Sequence, residues 1–231
     1  GKELYANYVH VNSHRRDRRF VPINCGSLSA DLLENTLFGH VGGAFTGAKA
    51  SCEGLVNEAE GGTLFLDEID SLSITCQIKL LRFLQDQKYR RLGESALRQA
   101  NVRIVAATNA DLEVAASEGR FRLDLFFRLR VFPVVIPALR DRSDDIPALF
   151  GAFAARIAQT YHLSMPQLSR ATLECLQSYD WPGNIRELEN CVAYLTCLQL
   201  DRPVEPSDLP LLAHLAETPA QQAEHSFAPG S

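Results

Sequence analysis

No stretch of the 231 residues is apolar for long enough to span a bilayer, and no charged-then-apolar leader opens the chain. The expectation is therefore of no membrane-spanning helix and no secretory signal within these residues. Paired cysteines are missing as well. The six present (Cys25, Cys52, Cys76, Cys175, Cys191 and Cys197) include no Cys-x-x-Cys pair and no zinc-type histidine spacing. That pattern indicates neither a metal site nor a disulfide frame and points to a reducing cytosol. An excess of positive charge is also lacking, since a formal charge of -5 and a pI near 5.7 give no overall basic field for nucleic acid. No internal repeat is visible. What remains is a chain with 46% hydrophobic residues, enough to bury the core of one large domain or of a domain with a smaller appendage. Most of its positive charge is arginine, whose planar fork reads phosphate.

The chain opens at Gly1-Lys2 already within a helical pattern, and from Lys2 to His14 the apolar residues Leu4, Tyr8 and Val11 are spaced as on one helical face. Phe20 to Ile23 reads as a strand. Leu28 to Phe38 returns to helical spacing, with Ser27 and Ser29 as candidate caps. After Gly61-Gly62, the continuous apolar run Thr63-Leu64-Phe65-Leu66 ends in Asp67-Glu68 and fits a strand buried on both faces. Ile78, Leu81 and Leu84 mark a helix, Val102 to Ala107 a second apolar strand, and Phe132 to Ile136 a third. Strands alternating with helices predict an α/β domain with a largely parallel sheet. Beyond Pro137 the spacing of Ile146, Leu149, Phe150, Phe153 and Ile157, then of Leu173 and Leu176, then of Ile185, Leu188, Val192 and Leu195, predicts helices alone. The last stretch, with Pro219, Gln221, Gln222, Pro229 and Gly230, reads as a flexible tail.

Chemistry gathers at the predicted strand ends, where open α/β sheets place their ligands. Asp67 and Glu68 are neighbouring carboxylates suited to two tasks, one holding a phosphate-bound metal ion and one orienting an attacking water. Read alone, they fit a solvated acidic turn equally well. Thr108-Asn109 ends the next strand and offers polar groups to the same water or to a terminal phosphate, although Asn also commonly starts turns. Gly1-Lys2 matches the end of a G-x-x-x-x-G-K phosphate loop. Arg122 and Arg128 flank an apolar stretch and suit arginines supplied in trans to a phosphoryl group, or else a helix with solvated arginines. In Trp181-Pro182-Gly183-Asn184-Ile185-Arg186, a Pro-Gly turn leads into a helix carrying Arg186 in its first turn. A cation there opposes the helix dipole and suggests an anionic partner. The run Gly43-Ala44-Phe45-Thr46-Gly47-Ala48 sets an aromatic and a hydroxyl between glycines, an arrangement suited to touching a partner.

Together these residues resemble the central ATPase domain of the sigma-54-dependent transcriptional activators, the bacterial enhancer-binding proteins of the AAA+ superfamily. The resemblance runs from the first residue to about residue 212, and the Gly-Ala-Phe-Thr-Gly-Ala run is close to diagnostic. It implies an α/β, P-loop-type parallel sheet flanked by helices over residues 1–138, a small helical lid over 139–212, and a flexible tail or linker over 213–231. The implied ligands are ATP and Mg2+. Gly1, Lys2 and Glu3 would end the Walker A motif, and Asp67 and Glu68 would form the Walker B pair, with Asp67 on the metal. Asn24 would be the residue that switches the catalytic glutamate, Thr108 and Asn109 sensor I, Arg122 and Arg128 the arginine fingers, and Arg186 sensor II. Implied partners are the sigma-54 RNA polymerase holoenzyme, engaged through Gly43 to Ala48 with Phe45 and Thr46 as contacts, and further copies of the chain in a hexameric ring. DNA would be reached only through a helix-turn-helix domain that these residues do not include.

Two departures shape the expectations. Of the Walker A motif only Gly1-Lys2-Glu3 is matched, without the strand that precedes it in the family, and Val41-Gly42 replaces an acidic residue expected before the loop. The leading expectation is an ATP-driven activator of sigma-54 transcription. A non-hydrolysing regulatory fragment that binds sigma-54 or intact ring partners is the alternative. Another AAA+ machine, such as a clamp loader or unfoldase, is disfavoured by the Phe45-Thr46 run.

Overall fold

The computed structural model describes residues 1–44 and 50–210. The chain separates into two compact units, divided between Val134 and Val135, and each has its own hydrophobic core. In chain order the first unit opens with helix α1 (Lys2–Val11), strand β1 (Phe20–Asn24) and helix α2 (Ala30–Phe38). A short hairpin of β2 (Gly39–His40) and β3 (Cys52–Glu53) follows, then the one-turn helix α3 (Leu55–Glu58) and strand β4 (Thr63–Asp67). Helix α4 (Ile74–Asp86), a second hairpin of β5 (Lys88–Tyr89) and β6 (Arg98–Gln99), strand β7 (Arg103–Ala106) and helices α5 (Leu112–Ser117) and α6 (Leu123–Leu129) complete it.

Strands β1, β4 and β7 form a parallel sheet in that order. The central place falls to β4, whose Thr63, Leu64, Phe65 and Leu66 are all buried, as a continuous apolar run requires. Pro22 lies in β1, at the edge of the sheet, where a residue without an N–H need not break a ladder. Helix α4 starts at Ser73, whose hydroxyl accepts from the Cys76 N–H at 3.2 Å. It buries Cys76, Gln77, Leu80 and Phe83, while Ile78, Leu81 and Leu84 lie half-buried beside that stripe.

Two expectations are corrected here. The residues picked out on α1 point outward: Leu4 is 77% exposed, Tyr8 and Val11 are exposed too, and Ala6 and His10 are buried instead. The small Ala6 lets the helix approach the sheet. His10 adds specific bonds, Nε2 donating to the Arg18 carbonyl at 3.1 Å and Nδ1 meeting Thr63 Oγ1 at 3.0 Å. The third strand, Phe132 to Ile136, forms no ladder among the described residues, and both Phe132 and Val135 are 89% exposed. Pro133 removes an N–H donor from that segment and Pro137 another directly after it, so apolar composition alone does not secure a partner strand.

In the second unit, a 3-10 segment over Leu139–Asp145 leads to helices α7 (Ile146–Tyr161), α8 (Arg170–Ser178) and α9 (Asn184–Leu198). Ile146, Phe150, Ala154 and Ile157 of α7 share a core with Leu188, Val192 and Leu195 of α9. Trp181 is fully buried there, and its Nε1 donates to the Leu176 carbonyl at 2.7 Å. The residues expected to form the tail, 213–231, lie outside the described residues.

Candidate active site at the strand ends

The parallel register brings the C-terminal ends of the strands together, with Asn24 as the partner of Asp67 in the β1–β4 pair. Asn24 Oδ1 accepts from the Gly26 N–H at 2.8 Å, holding a tight turn after β1. Immediately after β4, Glu68 takes a left-handed conformation (φ 53°, ψ 49°). Its N–H donates to Asp67 Oδ1 at 3.0 Å, and the next residue, Ile69, donates to the Ala107 carbonyl at 3.1 Å. A non-glycine residue in this region is strained by about 1–3 kcal/mol. Here the strain turns the Glu68 side chain across Gly26: a β-carbon at Gly26 would collide with Glu68 Oε2 and stand 3.3 Å from both Asn24 Oδ1 and Ser71 Oγ.

Beyond β7, Thr108 Oγ1 donates to Asp70 Oδ1 at 2.5 Å and accepts from the Ala110 N–H at 2.9 Å. Asn109 Oδ1 accepts from Lys2 Nζ at 2.8 Å. This bond joins the start of α1 to the end of the sheet. Gly1 is the N-cap of α1, its carbonyl accepting from Tyr5, and Glu3 in the first turn complements the helix dipole. Cys25, which directly follows Asn24, is buried. Its thiol is pushed up to about 12, first by burial, then by the neighbouring Cys76 and by the charges of Asp67, Asp70 and Glu68, so it stays neutral.

Lys2 and Asn109 are thus brought together, as are Asn24, Asp67 and Glu68, and Thr108 is tied to the same turn through Asp70. The two arginines of the α6 region engage other groups. Arg122, the N-cap of α6, pairs in a bidentate manner with Asp124 (3.0 and 2.7 Å). That hydrogen bond, followed by the carboxylate's charge, raises the arginine's pKa and, in return, lowers that of Asp124. Arg128 is exposed and donates from Nη2 to the Leu84 carbonyl at 3.1 Å. In the second unit, Arg186 occupies the first turn of α9, exposed and with no hydrogen-bond or ion-pair partner among the described residues. That turn is itself held by Glu187, which accepts from the Gly183 N–H at 2.8 Å and from the Tyr179 hydroxyl at 3.1 Å.

Of the glycine-flanked run, Gly43 and Ala44 are described and Phe45, Thr46, Gly47 and Ala48 lie outside the described residues. Its base is the β2–β3 hairpin, against which the second hairpin is laced. Val41 donates to the Leu92 carbonyl and Leu92 to that of Gly39 (3.0 and 2.9 Å). Arg91 also bonds both Glu53 of β3 and Glu94 (2.5 and 3.0 Å). Four residues that sequence reasoning missed make bonds or contacts to the candidate residues or to the turns next to them: Gly26 and Asp70 at the strand ends, and Gln77 and Asp124 at Arg122. Gly26 carries a legible signal, a glycine just past a strand end. The others are polar residues in turns or helices and carry none.

The oxygen donors of Asp67 and Glu68 suit a hard divalent cation, and the ammonium of Lys2, bonded to Asn109 past the end of β7, suits phosphate. The family model described as the sigma-54 interaction domain matches residues 1–135, and that of an AAA+ ATPase lid domain matches residues 140–226. The alginate biosynthesis transcriptional regulatory protein AlgB of Pseudomonas syringae pv. tomato is 47% identical over 223 residues, covering 96% of this chain and 49% of that protein. The transcriptional regulatory protein ZraR of Escherichia coli K12 is 43% identical over 219 residues, 95% of this chain and 49% of that protein. The chain spans about half the length of these relatives. The crystal structure of NtrX from Brucella abortus in complex with ATP superposes with a TM-score of 0.82 at 36% identity, over 96% of this chain and 51% of that one.

Proposed function

The chain belongs to the sigma-54 interaction domain family of AAA+ ATPases, and from that premise we propose that it hydrolyses ATP in a ring of its own copies to activate sigma-54 RNA polymerase. The observation that carries the proposal is the convergence of Asn24, Asp67 and Glu68 on adjacent strand ends, with Lys2 bonded to Asn109 alongside. Lys2, with Gly1 and Glu3 at the start of α1, would bind the phosphates, and Asp67 would hold Mg2+, which supplies positive charge to phosphate oxygens when bound. Glu68 would orient the attacking water. Its position against Gly26 and the Asn24 turn supports a role for Asn24 in setting where that carboxylate points. Thr108 and Asn109 would sense the terminal phosphate from the next strand. Arg122 and Arg128 would act on the nucleotide of a second copy, and the unpaired Arg186 would contact nucleotide from the lid.

Work would leave the site through the glycine-flanked loop. Loss of the terminal phosphate would change the arrangement of Glu68 and Asn24, an order-and-release switch of the kind that phosphate contacts drive in other nucleotide hydrolases. The two laced hairpins support Phe45 and Thr46 as the tip that meets sigma-54, because they anchor both ends of the loop that carries them.

Turnover by the full-length protein tests the assignment. Glu68→Gln keeps nucleotide binding and lowers steady-state ATP hydrolysis by about 10²–10⁴-fold, the usual worth of a positioned acid or base. Equal turnover by both proteins would remove Glu68 from the chemistry. Absence of turnover in both, with sigma-54 binding retained, would favour the non-hydrolysing regulatory alternative.

A further inference from the structure

Gln77 is a polar side chain with no exposure to water, set in the inward stripe of α4 among Cys76, Leu80 and Phe83. Its amide is used on both sides. Nε2 donates to the carbonyls of Leu72 (2.8 Å) and Arg120 (3.2 Å), while Oε1 accepts from the Arg122 N–H at 2.8 Å. Only this orientation of the amide pairs every group, since two of its neighbours are acceptors and one is a donor. Leu72 closes the 3-10 turn that begins directly after Glu68. Arg122 is the residue whose guanidinium is held by Asp124. One buried amide therefore ties the turn carrying Glu68 to the backbone carrying Arg122.

We propose that Gln77 is a positioning residue for Arg122, fixing the backbone from which that arginine reaches the nucleotide of a second copy. This rests on the reading of Arg122 as an arginine acting in trans. Residues 120 to 122 precede a helix of only seven residues, and they take two of the three amide bonds of Gln77. Without them the arginine's starting point is free to shift, and a displacement near 1 Å is enough to cost about 100-fold in rate.

The test uses the full-length protein and three variants: Gln77→Met, close in size but unable to form these bonds, Arg122→Ala, and Glu68→Gln. Homogeneous Gln77→Met assemblies should lose about 100-fold in kcat, with KM for ATP within about twofold of wild type because the arginine acts mainly in the transition state. Mixing with Glu68→Gln subunits should restore turnover, since those subunits supply a well-placed Arg122 to the intact Glu68 of the Gln77→Met subunits. A merely structural defect would not be repaired in this way. Gln77→Leu also removes all three bonds without burying a charge, and it carries the same comparison if the Met variant does not fold. Wild-type kcat in Gln77→Met would overturn the proposal. So would failure of mixing to restore it while Arg122→Ala is restored. Failure to restore Arg122→Ala would overturn the trans reading itself, and this inference with it.

Discussion

Gly26 lacks a side chain at a point where the Glu68 carboxylate takes up the space. Its φ is ordinary, and the atom in the way is the end of a flexible side chain, so alanine there is compatible with the backbone. Gly26→Ala is expected to leave stability unchanged or raise it by about 0.4–1 kcal/mol through the unfolded chain. ATP turnover should fall by about tenfold or more as Glu68 is pushed off its place. Thermal melting and hydrolysis measured together check this, and a variant with unaltered turnover would detach Glu68's observed position from its role. At this scale, the residues legible from sequence were those ending apolar runs: Asp67, Glu68, Thr108 and Asn109 stand where a strand stops and the backbone turns. Gln77 and Asp124 were illegible. A glutamine within a helix and an aspartate two residues from an arginine read as solvated positions until the fold shows what surrounds them.

Among the elements, the two hairpins at the base of the glycine-flanked run are held together by charge. Glu94 is bonded by Arg98 (2.9 and 3.2 Å) and Arg91 (3.0 and 3.1 Å), and Arg91 reaches Glu53 on the other hairpin. Those bonds, Arg98 first, hold the Glu94 carboxyl near 2, below its ordinary 4.5. A lowered folded-state value means that the stabilisation is fully present above about 4.5 and disappears as pH falls toward 2. Glu94→Gln should therefore melt below wild type at neutral pH, with the difference closing across that acid window in a melting-temperature series. A constant gap down to the acid end would assign the effect to packing. The elements also show where pattern reading fails. The helix over α1 is real, but its buried stripe is Ala6 and His10, because close approach and a histidine bridge outweigh the larger apolar residues. Phe132 to Ile136 has a strand's composition without a ladder, since pairing depends on a neighbour and on N–H groups that two prolines lack.

For the molecule as a whole, two cores mean two sets of shielded thiols. Cys25 and Cys76 lie in the first core and Cys191 in the second, each pushed up to about 12, with burial the largest cause. Cys52 and Cys197 are exposed. Alkylation of the native protein at neutral pH should modify Cys52 and Cys197 and spare the three buried thiols until denaturant opens the cores, as peptide mapping would reveal. Because these thiols are raised from 9.0, their contribution to stability is complete below that pH and is lost as pH climbs toward 12. Labelling of Cys25 under native conditions would contradict its burial in the first core. The sequence by itself determined the alternation of strands and helices, the helical character beyond Pro137, and the polar residues that end β4 and β7. These are local matters of periodicity and chain termination, set by which residues exclude water over a few turns or pleats. Tertiary structure alone decided that β4 is central, that Glu68 lies across Gly26, that Lys2 meets Asn109, and that one buried amide joins the Glu68 turn to Arg122. Each of these depends on contacts between residues distant along the chain, and only parallel strand register and core packing bring such residues within bonding distance.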